Sequence, residues 1–411
     1  MARNYKPKRF ADMGLLKKLN FPLLLRLFEP YRLFFEGHPD FVWSTSPDEI
    51  RFDLLAETML HLDRAIPTGL LESLYYIETL SDNNYFDELL AAAQRRNIVF
   101  GDTDPTIEDL ALLLRLECPE VVEQLHADIY RTDSKQRAKR FESYFPQNGA
   151  IKPMASPDKE TLTQMQSELD DWSRNNRRGI GMRIFVTHSD LATWFMIRHG
   201  QPMKRENTVE PDGEDGLVFY RPEKFDILIY YPANGELAIG VCTKAARIVY
   251  SRIIGKYLFD DPYYFNVEGC TRYTLAPLLE NGPAALACWD IPEIRQMLLR
   301  EIHIHYPDRR VSTEVLKGEN IMIALTEEKR VETQKNGGIP MRAKFKTYYA
   351  DGRERIVEVE PPNAAHYDHE TDHETVHAWL LERGFIVNDS NDNNVIQGVF
   401  HERSEEVLAV A

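Results

Sequence analysis

Cysteine is scarce in this sequence, and no two of its cysteines form a C-x-x-C motif. The 411 residues include only Cys118, Cys242, Cys270 and Cys288. A chain of this length can bury a hydrophobic core without disulfides, and C-x-x-C spacing is the usual sign of a redox or zinc site. We therefore expect reduced thiols, mostly buried as small apolar groups, in a cytoplasmic protein.

Long apolar runs are missing as well. The most apolar early run, residues 21–28, contains Pro22 and Arg26 and is too short to span a bilayer. The basic N-terminus, Met1 to Phe10, is not followed by an apolar segment of signal-peptide length with a small-residue cleavage site. These features predict a protein with no membrane segment and no secretory leader.

Positive charge is in deficit. Lysine and arginine total 49 against 65 aspartates and glutamates, which gives a formal net charge of −16. This excludes a uniformly basic nucleic-acid coat but allows local basic patches. The sequence also lacks the G-x-S-x-G elbow of α/β-hydrolases and the G-x4-G-K-[ST] phosphate loop. A composition of 43% hydrophobic and 28% charged residues nevertheless indicates a folded protein rather than a disordered one.

The hydrophobic periodicity predicts an α+β protein, in which a helical N-terminal domain precedes a mixed region of β-hairpins alternating with helices. Apolar residues recur at helical spacing in the first third, and Asp104–Pro105 has the pattern of a helix N-cap and first residue. The predicted organisation is a helical domain at 1–147, a linker at 148–158, an α+β domain with two hairpins at 159–300, a hairpin–helix subdomain at 301–385 and a polar tail at 386–411.

Strand-like runs beyond the linker predict three hairpins. The predicted turns are His188–Leu191, Asn234–Gly235 and Asp351–Gly352. The Asn-Gly pair supplies the positive φ that a two-residue hairpin turn requires. A helix is expected from Thr243, and Pro361–Pro362 is expected to end the sheet.

The sharpest motif lies at residues 369–377, which contain His-Glu-x-x-His twice. Two histidines four residues apart share one helix face and can bind one zinc ion, and the adjoining glutamate can act as general base on zinc-bound water. In this respect the segment resembles the zinc metalloprotease motif. The resemblance implies His373 and His377 as metal ligands, Glu374 as the catalytic base and zinc as the cofactor.

The same segment allows a second interpretation. Thr371 and Glu374 have the spacing of a capping box, in which Thr371 would be the N-cap. The residues before it are polar, so the sequence indicates no force that would bury them. This alternative is a solvated, charged helix start that holds no metal, and it implies no cofactor.

A second motif surrounds the middle hairpin. Asp226 lies on its first strand, and the return strand leads into Cys242-Thr243-Lys244. One large class of nucleases holds a divalent cation with an aspartate on such a hairpin and with an acid-x-Lys sequence, because hard cations need clustered carboxylates. Cys242 occupies the acid position here. The region 226–244 is therefore predicted to be at most a degenerate metal-dependent nuclease.

The same residues also predict an anion-binding site. Thr243 can cap the following helix, whose N-terminus carries partial positive charge, and Lys244 and Arg247 stand on its first turn. This predicts binding of a phosphate or carboxylate at Thr243, Lys244 and Arg247. The alternative is plain capping beside two solvated cations.

Short basic clusters with aromatic neighbours are typical of proteins that bind RNA or single-stranded DNA. The residues predicted to contact nucleic acid are Lys135, Arg137, Lys139, Arg140, Arg177 and Arg178. Ordinary solvated surface is the alternative for such charge runs.

The sequence contains no complete catalytic set. We therefore expect a non-catalytic interaction or regulatory protein of a bacterial antiviral-defence or mobile-element system. Its expected partners are a protein and, through the basic clusters, nucleic acid. The alternative is a peptidase-like zinc metallohydrolase that uses residues 373–377.

Overall fold

A computed structural model describes most of the chain. The described residues are 9–38, 40–60, 67–98, 105–132, 139–176, 178–209, 215–240, 242–307 and 312–387. They divide into two compact units. The first is Met1–Tyr130 with Arg205–Tyr220, and the second is Arg131–Lys204 with Arg221–Ala411. The predicted polar tail lies outside the described residues except for its first two positions.

The first unit is mainly helical. Its helices are α1 Met13–Leu16, α2 Phe21–Phe28, α3 Arg32–Glu36, α4 Phe52–Leu60, α5 Thr68–Leu80, α6 Phe86–Arg95, α7 Ile107–Glu117 and α8 Pro119–Thr132, with α8 ending just past the unit boundary. A two-stranded sheet of β4 Lys204–Val209 and β5 Asp215–Tyr220 belongs with them. Apolar stripes at helical spacing, such as Leu70, Leu74 and Ile77, are completely buried and form the core of this unit.

Helix α7 begins later than the sequence predicts. Its N-cap is Thr106, whose Oγ1 accepts a hydrogen bond of 3.1 Å from the backbone N–H of Asp109. The Thr106 hydroxyl in turn donates to the Asp109 carboxylate at 2.9 Å. The prediction of a helix that starts at Pro105 is therefore wrong, because this reciprocal pair satisfies the helix end two residues further on. Asp104 lies outside the described residues.

The second unit is built on one ten-stranded antiparallel sheet. In chain order its strands are β1 Arg140–Tyr144, β2 Arg183–His188, β3 Thr193–Gly200, β6 Glu223–Tyr231, β7 Glu236–Gly240, β8 Ile294–Tyr306, β9 Ser312–Lys317, β10 Ile339–Tyr349, β11 Glu354–Glu360 and β12 Ala364–His366. Their spatial order is β2-β3-β6-β7-β1-β12-β11-β10-β8-β9. The three predicted hairpins are confirmed as β2–β3, β6–β7 and β10–β11. The prediction that Pro361–Pro362 ends the sheet is wrong, because β12 follows and pairs with both β11 and β1.

Six α-helices among the described residues accompany this sheet: α9 Lys159–Asn175, α10 Lys244–Phe259, α11 Ala276–Glu280, α12 Ile321–Ala324, α13 Glu327–Lys335 and α14 His373–Glu382. Helix α10 begins where predicted, with Thr243 as its N-cap. The turn between β6 and β7 uses Gly235 at φ +71°, a backbone conformation that the predicted Asn-Gly turn requires. These findings establish a mixed α+β fold.

One helical layer lies on one face of the sheet. Leu228 on β6 lies opposite Ile239 on β7, which in turn lies opposite Glu142 on β1. Directly opposed residues of paired strands point to the same face. Leu228 and Ile239 pack in a buried apolar layer with residues of α9 and α10.

A second helical layer lies on the other face. Phe141 on β1 lies opposite Ala365 on β12, which lies opposite Val359 on β11. Ala365 and Val359 pack with residues of α14. Because successive residues of a strand alternate between faces, Phe141 and Glu142 point to opposite sides. The helical cover therefore changes face at the middle of the sheet, where β1 lies.

In the part of the chain that the structure describes, none of the helices is long and apolar enough to cross a membrane. The predicted domain boundaries at 147/148 and 300/301 stay predictions, although strands from both sides of residue 300 join the same sheet.

Candidate functional site

The helix that carries the His-Glu-x-x-His motif starts inside the protein. His369 is 3% exposed and His373 is 8% exposed. The N-cap of α14 is Asp372, which makes no capping hydrogen bond with its side chain. Its carboxylate is bound instead by Arg353 Nη1 at 2.9 Å and Arg355 Nη1 at 3.0 Å. The predicted capping box and the predicted solvated helix start are therefore wrong: Asp372 rather than Thr371 is the N-cap, and two arginines neutralise its buried carboxylate.

Two histidines of this motif are hydrogen-bonded to tyrosine hydroxyls. The hydroxyl of Tyr231 lies 3.0 Å from His369 Nδ1, and the hydroxyl of Tyr367 lies 3.0 Å from His373 Nδ1. Tyr231 also stacks on His373, with ring centroids 3.8 Å apart. His369 Nε2 is buried and has no hydrogen-bond partner. The two tyrosines thus hold the imidazoles in a stack, in which the rings do not converge on a common metal position.

Burial keeps these imidazoles neutral. It lowers the pKa of His373 to about 4 and lowers the pKa of His369 and His377 below the ordinary value for histidine. The neighbouring positive charge of Arg272 acts in the same direction on His373 and His377. Near neutral pH the motif therefore presents uncharged rings to its surroundings.

The charge in this region belongs to Glu236 and Arg272. Glu236 is 1% exposed; its Oε1 accepts from Ser143 Oγ at 2.5 Å, and its Oε2 lies 3.3 Å from Arg272 Nη2. Burial, the largest single influence, raises the pKa of Glu236. The charge of Arg272, the neighbouring His373 and His377 and the hydrogen bond from Ser143 together outweigh it, so the pKa lies below its ordinary value. The same Arg272 Nη2 donates to His377 Nε2 at 2.7 Å. We call these side chains, with the two tyrosines and three histidines, the histidine cluster.

This arrangement bears on the implied zinc site. Arg272 occupies the lone pair of His377 Nε2, and Glu374 is exposed rather than turned toward the cluster. Among the residues that the structure describes, no group of three or more His, Cys, Asp or Glu side chains is arranged to hold a metal ion. His373 and His377 lie on one face of α14, with ring centroids 5.6 Å apart, as their spacing predicts.

A second polar cluster surrounds Asp226, on the other side of β6–β7. Asp226 Oδ2 accepts from His199 Nε2 at 3.0 Å and from the Tyr250 hydroxyl at 2.9 Å. Its Oδ1 is ion-paired with Lys224 Nζ at 2.7 Å. Burial opposes ionisation, yet the hydrogen bond from His199 and the charges of His199 and Lys224 lower the pKa of Asp226 to about 2. We call these residues the Asp226 cluster; its carboxylate is ionised and already bound by three partners.

Cys242, at the acid position of the nuclease-like pattern, follows β7. Burial raises the pKa of its thiol to about 12. A thiol with this pKa is protonated at neutral pH and acts neither as a nucleophile nor as a hard-cation ligand. The carboxylate pair that such a nuclease needs is therefore incomplete at Asp226 and Cys242.

The N-terminus of α10 gathers the residues predicted to bind an anion. Thr243 Oγ1 caps the helix by accepting from the N–H of Ala246 at 3.3 Å, and Lys244 is exposed on the first turn. Arg247 is engaged: its Nη1 donates to the Cys242 carbonyl at 2.9 Å and its Nε lies 2.9 Å from Glu142 Oε2. Among the described residues, Arg247 is thus bound by protein acceptors, whereas Lys244 has no hydrogen-bond or ion-pair partner.

Arg178, predicted as a nucleic-acid contact, also reaches this helix end. Its Nη2 lies 3.4 Å from Thr243 Oγ1, and its guanidinium lies over the ring of Trp172 at 5.0 Å from the centroid. Within the described part of the chain, neither Arg178 nor Lys244 has a carboxylate at ion-pair distance. The structure thus brings Arg178 next to Thr243, which lies 65 residues later in the sequence and directly precedes Lys244.

Two other predicted nucleic-acid contacts, Arg140 and Lys139, lie within the described residues. Arg140 is half-buried and lies 2.7 Å from both Glu142 and Glu360. Lys139 is half-buried and has a partner of its own. Lys135, Arg137 and Arg177 lie outside the described residues.

Arg140 is one member of a chain of ion pairs along the charged face of the sheet. Neighbouring members lie within 4.0 Å of each other in the order Lys317, Glu301, Lys344, Glu358, Arg342, Glu360, Arg140, Glu142, Arg247. Positive and negative side chains alternate along the whole chain. Basic residues on this face are therefore neutralised within the protein.

Several residues of both clusters escape the sequence reasoning. His199 and Lys224 could have been found. Lys224 lies two residues before Asp226 on β6, and His199 lies directly opposite Lys224 on β3. Arg272 carries no such signal: it lies in an irregular segment between α10 and α11, and its backbone N–H bonds to the carbonyl of Pro362. Its role follows only from the tertiary structure.

Comparison with known proteins adds no assignment: no family model matches the chain, and no curated protein matches it. Function is therefore argued from the sites themselves.

Proposed function

We propose that this protein is a non-catalytic interaction protein that binds the phosphate groups of a single nucleic-acid strand at the N-terminus of α10. One observation carries the proposal. Arg178 comes from a segment 65 residues away and places its guanidinium 3.4 Å from the cap hydroxyl of Thr243, next to Lys244 on the first turn.

The chemistry of this helix end suits a phosphate. The unpaired N–H groups of a helix N-terminus and the positive end of its dipole attract anions. Arg178 and Lys244 add two positive charges that no carboxylate neutralises among the described residues. The ring of Trp172 lies beneath the Arg178 guanidinium and supports it at this helix end.

The Asp226 cluster supports the non-catalytic part of the proposal. Metal-dependent phosphodiester cleavage needs carboxylate oxygens free to bind a divalent cation. Both oxygens of Asp226 are bound by His199, Tyr250 and Lys224, and Cys242 supplies no second carboxylate. The site therefore favours binding of a phosphate over its hydrolysis.

The test is binding of a fluorescently labelled single-stranded RNA or DNA, followed by anisotropy over a salt series. We expect the Arg178→Ala/Lys244→Ala double variant to bind about tenfold or more weakly than the natural protein. Its slope of log affinity against log salt should fall by about one to two units, since two phosphate contacts are lost.

The matched control is Arg295→Ala/Lys335→Ala, which removes two exposed cations of the same unit away from α10. It should leave affinity and salt slope unchanged. Equal losses in both double variants would refute the proposed site, and binding that is insensitive to salt would refute a phosphate contact. Cleavage of the strand in Mg²⁺ or Mn²⁺ that disappears in Asp226→Asn would refute the non-catalytic assignment.

A zinc metallohydrolase is the second candidate. The observation in its favour is the burial of three neutral imidazoles, since neutral imidazole is the form that binds zinc. It requires Arg272 to leave His377 Nε2. Stoichiometric zinc in the purified protein, together with a hydrolytic activity lost in Glu374→Gln, would favour this candidate over the first.

A further inference from the structure

A cavity of about 440 Å³ lies in the second unit, among α11, the C-terminal end of α13 and the start of β10. Small-molecule sites have volumes of roughly 300–1,000 Å³. None of the residues that line the cavity belongs to the Asp226 cluster or to the N-terminus of α10. It is therefore a separate candidate site, and it does not rest on the proposed function.

Proline and glycine form much of the wall of this cavity. Pro307, Pro340 and Pro361 contribute to them, and proline has a fixed φ and no N–H to leave unsatisfied against an apolar ligand. Gly337 and Gly338 form another part. A Cβ atom on Gly338 would lie 2.6 Å from the methyl group of Thr333, so the backbone is packed there as closely as it can be. A preformed site of this kind needs little ordering when a ligand binds.

The lining decides which ligand class fits. Leu275, Leu279 and Ile339 supply apolar surface, and Tyr273 adds an aromatic ring. Glu280 is the single charged residue among the described lining residues, and it is exposed at the mouth. The C-terminal end of α13, through Gln334, adds the negative end of a helix dipole. A cationic group would therefore meet a carboxylate partner among the described lining residues, whereas an anionic group would meet no lining cation there.

We propose that this cavity binds a small amine with a compact aromatic body. The apolar body fills the space between α11 and β10, and the ammonium group faces Glu280 and the end of α13. Because Glu280 is exposed and screened by water, its effect is on selectivity between ligands of different charge, while the apolar walls supply most of the affinity.

Three probes with the same indole body test the proposal on the full chain by titration calorimetry: tryptamine, tryptophol and indole-3-acetate. Tryptamine should bind about threefold more tightly than the neutral tryptophol, and indole-3-acetate should bind most weakly. Glu280→Gln should reduce the preference for tryptamine over tryptophol, because the carboxylate that favours the ammonium group is gone. Glu319→Gln, another exposed glutamate of this unit, should preserve the difference.

Two further variants test the location. Ala276→Trp, within the lining, and Gln334→Trp, on the exposed end of α13, should each abolish binding of all three probes. The exposed Gln334 variant keeps the test valid should Ala276→Trp fail to fold. Three results would overturn the proposal: no binding of any probe, retained binding in a folded Trp variant, or preference for indole-3-acetate.

Discussion

The histidine cluster and the N-terminus of α10 use their polar groups in opposite ways. In the histidine cluster a carboxylate that is 1% exposed faces a buried arginine, and the imidazoles bond to tyrosines and to that same arginine. At α10 the two cations Arg178 and Lys244 meet no carboxylate among the described residues. The polar groups of the histidine cluster bond to one another, whereas those at the N-terminus of α10 are available to a ligand.

A specific sequence motif can therefore have donor and acceptor atoms that are already bonded, and a weak motif can have atoms that are free to bind a ligand. His-Glu-x-x-His is a far sharper pattern than Cys-Thr-Lys, yet His377 donates no free lone pair because Arg272 occupies it. The weaker pattern ends at an exposed helix start that a distant arginine reaches. Functional inference therefore depends on which donors and acceptors the rest of the fold has already used.

The largest effect that separates the two regions should come from Arg272→Met. It leaves Glu236 buried without its cation, so we expect the free energy of unfolding to fall by about 3–5 kcal/mol. Urea unfolding followed by tryptophan fluorescence measures it. Arg295→Met, at an exposed position of the same unit, should change stability by less than about 0.5 kcal/mol. A loss as small for Arg272→Met as for Arg295→Met would contradict the buried pair.

The second largest effect should be a loss of folding stability at acidic pH, caused by protonation of the histidine cluster. The folded pKa of His373 is about 4, below the ordinary value of 6.5, so the unfolded chain binds the proton first as pH falls. Stability present above pH 6.5 is therefore lost between pH 6.5 and about 4, by roughly 3 kcal/mol for this group.

Urea unfolding measured across this pH range tests the assignment. His373→Gln should flatten the decline, while His188→Gln, at an exposed histidine, should not. An unchanged pH slope in His373→Gln would show that another group is responsible.

Thr243→Ala should have a moderate effect on stability and a specific one on binding. Loss of the N-cap bond to Ala246 should cost about 1 kcal/mol. Thr326→Ala removes the equivalent cap of α13, which accepts from Lys329, and should cost a similar amount. Only Thr243→Ala should also weaken binding of the single strand, measured by anisotropy. Similar weakening by both cap variants would place the phosphate contact elsewhere.

The smallest effect is expected from Glu374→Gln. Glu374 is exposed on the first turn of α14 and makes no contact with the histidine cluster, so stability should change by less than about 0.5 kcal/mol. Thermal unfolding with and without added zinc measures this. A marked stabilisation by zinc that requires His373 and His377 would reverse the comparison, because the histidine cluster would then be the region with available ligands.

Much of the local structure can be predicted from the sequence. The Asn234–Gly235 turn, the helix after Thr243 and the apolar stripe of Val376, Trp379 and Leu380 all depend on neighbours in the chain, and all are confirmed. The candidate sites could be predicted less well. The burial of His369 depends on Tyr231, 138 residues away, and no local pattern encodes that distance.

Local patterns in the chain were sufficient for the three predicted hairpins, for the N-cap of α10 and for the shared face of two histidines on α14. These follow from backbone propensity and periodicity, which act over a few residues. Long-range packing was needed to bring strands from both sides of residue 300 into one sheet, to change the face of its helical cover at β1 and to pair the charges. Those outcomes depend on contacts between residues far apart in the chain, where the fold determines which polar groups meet and which stay free.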